Sequence, residues 1–225
     1  MKRINALDAA WLAIDSGETP MHIGNMQIFT PPKGAPRTFI RDMVSRMKNS
    51  DAVAPWAFKL AFPGPVGRKI MPSWTKDRNI DIDYHLRHSA LPKPGGEREL
   101  GVLISRLHSN HMDFQRPLWE VHVIEGLARG RFAIYTKIHH SLIDGVSGIR
   151  VLERTMTTDA NKLRLLPPWS TNPKGKPYRS RQEQVATVQG ALLEAIELVR
   201  EQVSTVPTLA AALGKLVYSG TLDPN

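Results

Sequence analysis

The feature that most constrains the fold is a pair of apolar segments at residues 119–125 and 132–139, separated by a short turn. Both segments are rich in branched and aromatic residues, which favour extended strands. The intervening residues 128–131 have the sequence ARGR, in which Gly130 adopts turn conformations that other residues disfavour. The pattern therefore predicts a β-hairpin.

Helical and extended patterns mix irregularly along the rest of the chain. Apolar residues at helical spacing predict helices at residues 5–15, 37–49, 97–111 and 144–157. Extended segments are predicted at residues 21–30, 56–62 and 80–86, with a loop broken by Gly and Pro at residues 63–72. This mixture predicts an α/β (α+β) fold with a mixed β-sheet flanked by helices.

Composition limits the class of protein. A length of 225 residues predicts one full core plus extra segments, and no apolar run approaches the roughly 18 residues of a membrane-spanning helix. The first residues do not resemble a secretory signal. Cysteine is absent, which excludes disulfides, thiolate metal sites and a cysteine nucleophile. The net charge of +9 suggests an anionic partner, and residues 162–181 hold six basic residues and no acid.

The motif that carries chemistry is at residues 139–145, with the sequence HHSLIDG, between the second hairpin strand and a predicted helix. Histidine titrates near neutral pH, so His140 suits general base catalysis. Neighbouring residues of a strand point to opposite sides, so one histidine of the pair is expected to be structural. Asp144 is expected to hold an arginine or backbone amides and to shape the turn. Gly145 is expected to supply a positive φ or a close backbone approach.

The histidine motif and the basic charge also suggest a metal site and a nucleic-acid partner. A zinc site of His139, His140 and Asp144 is disfavoured because adjacent histidines diverge on a strand and the spacing H-E-x-x-H is absent. Nucleic-acid binding is suggested by charge alone. The basic stretch has only Trp169 and Tyr178 as aromatic residues and no known motif, so no nucleic-acid partner is predicted. Phosphorylated cofactors or anionic lipid head groups would use the same charges.

The pattern HHxxxDG resembles the signature of the CoA-dependent acyltransferase superfamily. The segment RPLWE at residues 116–120, followed by VIEGL at 123–127, resembles the PLW block of the bacterial wax ester synthase/diacylglycerol acyltransferase family and the strand that leads to its histidines. The opening ALDAAW at residues 6–11 and DGVSG at 144–148 also look like this family. The resemblance covers the chain to about residue 160, and more loosely to its end.

The resemblance implies acyl transfer from acyl-CoA to the hydroxyl of a long-chain alcohol or of diacylglycerol, giving a wax ester or triacylglycerol. His140 matches the catalytic histidine, which would take the proton of the alcohol and return one to the leaving CoA thiolate. His139 would support it by positioning the neighbouring backbone, while Asp144 and Gly145 would be structural. A direct ternary mechanism is expected because cysteine is absent and Ser141 is an unconvincing nucleophile. Acyl-CoA is then a substrate, and neither a cofactor nor a metal is expected.

The PLW block supplies three candidate substrate-binding residues, Pro117, Leu118 and Trp119. Taken alone, the block is typical of a turn that inserts a tryptophan into the core. The resemblance instead implies that it forms part of the acceptor or active-site wall.

Members of this family are about twice as long, with two similarly folded halves and an active site between them. The resemblance therefore implies a chloramphenicol acetyltransferase-like half of a two-domain enzyme. We expect an acyltransferase domain at residues 1–160, a basic Pro-rich linker at 161–181, and a helical segment at 182–225 that leads to a C-terminal half. The expected partners are acyl-CoA, the alcohol or diacylglycerol, that C-terminal half and an anionic membrane surface. The expected location is cytoplasmic, peripheral at the inner membrane or at lipid droplets.

Two alternatives to this function remain at this point. One is a condensation-type acyltransferase, which shares HHxxxDG. The other is a non-catalytic half-domain that binds coenzyme A or lipid and needs a second chain.

Overall fold

The computed structural model describes residues 1–157 and 167–171. The strands are β1 (Lys2–Arg3), β2 (His22–Phe29), β3 (Phe58–Leu60), β4 (Ser73–Lys76), β5 (Leu86–Ala90), β6 (Trp119–Leu127) and β7 (Arg131–His139). The helices are α1 (Ala6–Ile14), α2 (Phe39–Lys48), α3 (Pro65–Ile70), α4 (Ile82–His85), α5 (Glu97–Ser109) and α6 (Gly145–Thr155). Short 3₁₀ turns lie at Ala128–Gly130 and Pro168–Ser170.

A four-stranded mixed sheet, in the order β2-β7-β6-β5, forms the centre of the described fold. Strands β6 and β7 are antiparallel neighbours joined by the turn Ala128–Gly130, which confirms the predicted hairpin. Strand β2 runs antiparallel to β7, and β5 runs parallel to β6. The predicted mixed sheet is thus confirmed, with the hairpin in its two central positions.

Both faces of the hairpin are covered, which explains why its two strands are almost uniformly apolar. Helix α5 packs on one face, where Leu100 belongs to the same buried cluster as Ile124 and Tyr135. The larger core lies on the other face and includes Val121 of β6 together with Leu12 of α1. The predicted arrangement of a sheet flanked by helices is therefore confirmed.

A cluster of three fully buried tryptophans ties residues 167–171 to the rest of the fold. The ring of Trp119 stacks on that of Trp169, with centroids 5.3 Å apart, and its indole N–H donates to the carbonyl of Trp56 at 2.8 Å. At residues 167–171 the structure therefore differs from the linker predicted over 161–181. The rest of that predicted linker and the predicted helical segment 182–225 lie outside the described residues.

Two segments differ from their predicted structure because local signals that start a helix outweigh the overall pattern. Residues 63–72, expected to be a loop, contain α3, which begins at Pro65 where the missing N–H costs nothing. Residues 80–86, expected to be extended, contain α4. Its first turn is capped by the side chain of Asp81, which accepts the amide of Tyr84, and the extended strand β5 begins only afterwards.

The strand predicted from Trp56 to Phe62 is also shorter in the structure. Only Phe58–Leu60 form β3, which pairs with β4 in a small three-stranded antiparallel sheet of order β1-β4-β3. Trp56 lies in the preceding turn and is buried, whereas Phe62 lies beyond the strand and is exposed. The alternation of apolar residues here reflects separate contacts rather than one continuous strand.

Among the helices in residues 1–157 and 167–171, none is both long and apolar enough to cross a membrane.

Candidate active site

The histidine motif occupies the turn between β7 and α6, where backbone hydrogen bonds hold it on two sides. The amide of His139 donates to the carbonyl of Leu118 at 3.0 Å, at the start of β6. The amide of His140 donates to the carbonyl of Met21 at 2.9 Å, just ahead of β2. Ile143 is buried and anchors the turn in the core. The position of each histidine is thus set by main-chain contacts.

The ring of His140 lies against the indole of Trp11 in α1, with ring centroids 4.3 Å apart. Its Nδ1 is buried and has no hydrogen-bond partner in the described part of the chain, so Nε2 is the nitrogen left to meet a ligand. Burial lowers the pKa of His140, and its own backbone and Asp144 oppose the lowering in part. The ring is therefore neutral at physiological pH, which is the form a general base requires.

His139 has a different role, because both of its ring nitrogens are engaged by the protein. Its Nδ1 accepts the backbone N–H of Ser141 at 3.1 Å, and its Nε2 lies 3.3 Å from Oδ2 of Asp15. A nitrogen that accepts an N–H bond carries no proton, so the proton lies on Nε2 and is donated to the carboxylate. His139 is a buried connector between the end of α1 and the histidine turn.

Asp15 is the site residue that the sequence reasoning missed. Its side chain is almost completely buried, and its Oδ2 accepts the amide of Met21 at 2.8 Å as well as the N–H of His139. His111 Nε2 lies 2.7 Å from the other oxygen, Oδ1, but its ring is not oriented to donate a hydrogen bond, and Oδ1 accepts none from the described residues. Burial by itself raises the pKa of Asp15, but these partners together hold it below its ordinary value.

One signal in the sequence could have found Asp15. An acidic residue at the C-terminal end of a helix opposes the helix dipole, and Asp15 is the C-cap of α1 with no basic residue in the last turn. Such a residue is expected to serve a partner elsewhere in the fold. Here the partner, His139, is 124 residues away along the chain.

Ser141, His139 and Asp15 form a line that looks like a nucleophile triad. The hydroxyl of Ser141 lies 2.7 Å from Nδ1 of His139, and Asp15 lies at the other ring nitrogen. All three residues are buried, so no substrate reaches the hydroxyl. The same Nδ1 also binds the Ser141 amide. The line therefore supports the turn and does not form a nucleophilic site.

Asp144 and Gly145 shape the start of α6. The carboxylate of Asp144 accepts the amide of Ser147 at 2.7 Å, as an N-cap, which agrees with the expectation that it holds backbone amides. Gly145 differs from the expectation. It is not among the glycines of positive φ, and a Cβ added to it meets no described atom within 4 Å. The need for a glycine is thus not explained by backbone strain or crowding in the described residues.

The PLW block lies in the core. Leu118 and Trp119 are fully buried, and Trp119 also stacks on His85 with centroids 4.3 Å apart. The block reaches the motif through its backbone, since the Leu118 carbonyl holds the amide of His139. Contact of Pro117, Leu118 or Trp119 with a substrate stays a prediction.

Other histidines pair with the protein in ways that the sequence did not reveal. His108 has its Nδ1 2.7 Å from the hydroxyl of Tyr135, and its carbonyl accepts the ring N–H of His22. His111 contacts Asp15. Within the described ranges, no group of three or more His, Asp or Glu residues is arranged to hold a metal ion, so His139, His140 and Asp144 do not converge on one point.

Comparison with known proteins places this geometry in a family. Residues 4–224 match the wax ester synthase/diacylglycerol acyltransferase catalytic domain. The chain belongs to this family. It is 49% identical over 158 residues to a putative diacylglycerol O-acyltransferase of Mycobacterium tuberculosis, covering 70% of this chain and 32% of that protein. It is 33% identical over 218 residues to the O-acyltransferase WSD of Acinetobacter baylyi, covering 97% of this chain and 45% of that protein.

A solved structure of the same family has a similar fold. The wax ester synthase/diacylglycerol acyltransferase from Marinobacter aquaeolei superposes with a TM-score of 0.70 at 35% identity, covering 89% of this chain and 47% of that one. This member of the family thus spans less than half of the length of each of these three relatives.

Proposed function

We propose that this member of the wax ester synthase/diacylglycerol acyltransferase family is an O-acyltransferase, acting on acyl-CoA and a long-chain alcohol or diacylglycerol, with His140 as the general base. The observation that carries the proposal is the state of His140. Burial keeps its ring neutral, Trp11 holds one ring face, and its buried Nδ1 has no hydrogen-bond partner among the described residues, which leaves Nε2 for a ligand. The three relatives are named as acyltransferases or wax ester synthases, which supports the same chemistry here.

In the proposed reaction, the hydroxyl oxygen of the acceptor attacks the thioester carbonyl while Nε2 of His140 takes its proton. The C–S bond then breaks, and the imidazolium returns that proton to the sulfur, so the products are the ester and free CoA. An alcohol is a far weaker acid than imidazolium, so proton transfer is favourable only as the new C–O bond forms. Because Nδ1 is buried, Nε2 is the nitrogen whose lone pair takes the proton in this proposal.

Direct transfer is favoured over an acyl-enzyme by the side chains available. The chain has no cysteine, and the hydroxyl of Ser141 is buried and bound to His139. Asp144 serves α6 as its N-cap, so it does not compete for the acceptor. Its negative charge nonetheless favours the imidazolium that forms during the reaction.

We also propose that a second half, equivalent to the remainder of the relatives, completes the site. The chain covers under half of each relative, and α6 exposes Val146 and Ile149, one helical turn apart, beside the histidine turn. Exposed apolar side chains at such spacing are typical of a surface that another element covers. A condensation-type reaction is less well supported, because the relatives reported above are named as O-acyltransferases or wax ester synthases.

A peripheral association with an anionic membrane or a lipid droplet is part of the proposal. It is supported by the net charge of +9 and by the water-insoluble nature of the acceptors. The basic stretch at residues 162–181, which would provide much of the attraction, lies mostly outside the described residues.

The experiment is to isolate the protein from its own cells, measure its intact mass and identify any chain that co-purifies. Long-chain acyl-CoA is then supplied with a fatty alcohol or with diacylglycerol, and ester and free CoA are quantified. We expect both products in equal amounts from the completed protein, and none from residues 1–225 purified alone. Binding of acyl-CoA without turnover by the completed protein would instead indicate the non-catalytic half-domain.

A further inference from the structure

We infer that Asp15 is a positioning residue for His140, acting through His139 and Met21 to hold the general base beneath Trp11. The inference rests on the proposed function for its catalytic meaning, while the contacts that carry it stand independently. Asp15 does not touch the His140 ring in the described structure. It instead fixes the chain on both sides of that residue.

The first connection runs through the side chain of His139. Asp15 Oδ2 accepts a hydrogen bond from the Nε2–H of His139, which leaves Nδ1 of the same ring free to accept the amide of Ser141. The ring of the residue before His140 therefore binds the amide of the residue after it. This closes the turn around His140 and fixes the direction in which its Cβ points.

The second connection runs through the backbone of Met21. The same Oδ2 accepts the amide of Met21 at 2.8 Å, and the Met21 carbonyl accepts the amide of His140 at 2.9 Å. The two connections share one carboxylate oxygen, so losing the carboxylate releases the histidine turn from both sides. The same helix also supplies Trp11, whose carbonyl accepts the amide of Asp15 at 3.1 Å.

The position of Asp15 argues that the carboxylate is retained for this purpose. At the C-cap of α1 it opposes the helix dipole, and burial disfavours its charge. The groups that face it are His139 of β7, His111 from the segment after α5 and the amide of Met21 ahead of β2. Among the described residues, no lysine or arginine forms an ion pair with Asp15, so the histidines and this amide offset the cost of burial.

The test measures the pKa of His140 by NMR titration of its ring Cε1–H resonance in the chain of residues 1–225. The resonance is assigned by its disappearance in His140→Gln. In Asp15→Asn we expect the pKa to rise by about half a pH unit or more, because a released ring regains contact with water. Removing a nearby negative charge would alone lower this pKa, so the sign separates release of the ring from a direct charge effect.

Glu120→Gln is the matched control, because Glu120 is another buried carboxylate beside a histidine, His122, at 3.2 Å. Glu120→Gln should leave the pKa of His140 unchanged. If a general loss of stability were enough to shift this pKa, the control would shift it as well. His139→Gln cuts the same connection from its other end and keeps the test valid if Asp15→Asn does not fold. The double variant should shift the pKa no further than the larger single effect.

A pKa of His140 that stays within about 0.2 pH unit of the parent in both folded single variants would overturn the inference. Kinetics add a second readout in the completed protein. Asp15→Asn should lower kcat by about tenfold or more, with the KM for acyl-CoA within about threefold. If the parent shows no acyl transfer while the NMR shift occurs, the proposed function fails and the positioning role stands.

Discussion

At the scale of single residues, burial sets the charge of several histidines. Burial lowers the pKa of His22 to about 4, despite the hydrogen bond that its ring donates to the His108 carbonyl. It also lowers the pKa of His85 and His140. Each of these rings is therefore neutral in the folded protein at a pH where the unfolded chain already binds protons. The folded state loses stability when such rings must be charged.

We expect these histidines to cost the folded state nothing above about pH 6.5. The free energy of unfolding should then fall as the pH drops towards 4. The unfolded chain binds the proton first in this window, and His22 alone accounts for roughly 3 kcal/mol at most. Asp15, whose pKa lies below 3.8, contributes only at more acid pH. Urea unfolding at pH 7 and pH 4.5 measures the loss. The variant His22→Gln keeps a donor for the His108 carbonyl and should lose less unfolding free energy than the parent between pH 7 and pH 4.5. An equal loss in both proteins would contradict the assignment of this pH dependence to His22.

Residue-scale prediction from sequence was limited to residues that are close in the chain. The motif HHSLIDG singled out His140, whose role as general base stays a prediction, and Asp144, whose carboxylate accepts a backbone amide three residues away. Asp15 was missed because its contact with His139 spans 124 residues. The contribution of His111 was missed for the same reason, since only the fold brings it to Asp15.

At the scale of elements, length decided which predictions held. The hairpin β6/β7 and helix α5 are long and strongly patterned, and both lie where the sequence predicted. Helices α3 and α4 are six and four residues long, so caps and tertiary contacts decide their structure more than periodicity does. Short strands such as β1 form only because a partner strand, β4, is present.

The junction between the loop before α5 and the hairpin provides a prediction at this scale. Gly95 has φ +71, and a Cβ added to it would lie 2.0 Å from the carbonyl oxygen of Gly126. Its own carbonyl accepts the amide of Ala128 at 2.7 Å, so the backbone cannot move away without losing that bond. Gly95→Ala should therefore destabilise the fold by about 2–4 kcal/mol.

Gly101→Ala is the matched control, because Gly101 lies inside α5 and a Cβ there meets no atom of the described residues within 4 Å. It should stabilise the protein by about 0.5–1 kcal/mol, since alanine favours helix over glycine. Urea unfolding of both variants measures the difference. Equal effects of the two substitutions would show that the close contact at Gly95 does not constrain the junction.

At the scale of the whole molecule, the sequence predicted the fold class and family but not the surroundings of the site. The mixed sheet followed from the order and pattern of its long elements, and the family followed from the motifs. The PLW block contacts the motif through the Leu118 carbonyl, and the side chains of Leu118 and Trp119 are buried. Whether the block also contacts a substrate stays a prediction.

The central claim is that His140 acts as the general base of acyl transfer, and one rate comparison tests it most directly. The rate of ester formation from long-chain acyl-CoA and a fatty alcohol is measured for the completed protein and for its His140→Ala variant. His88→Ala is the control, because it removes a histidine of β5 whose ring lies 3.5 Å from Glu125 of β6. Its rate should stay within about twofold of the parent. We predict a loss of about 10²–10⁴ for His140→Ala. A rate within about tenfold of the parent would contradict the account.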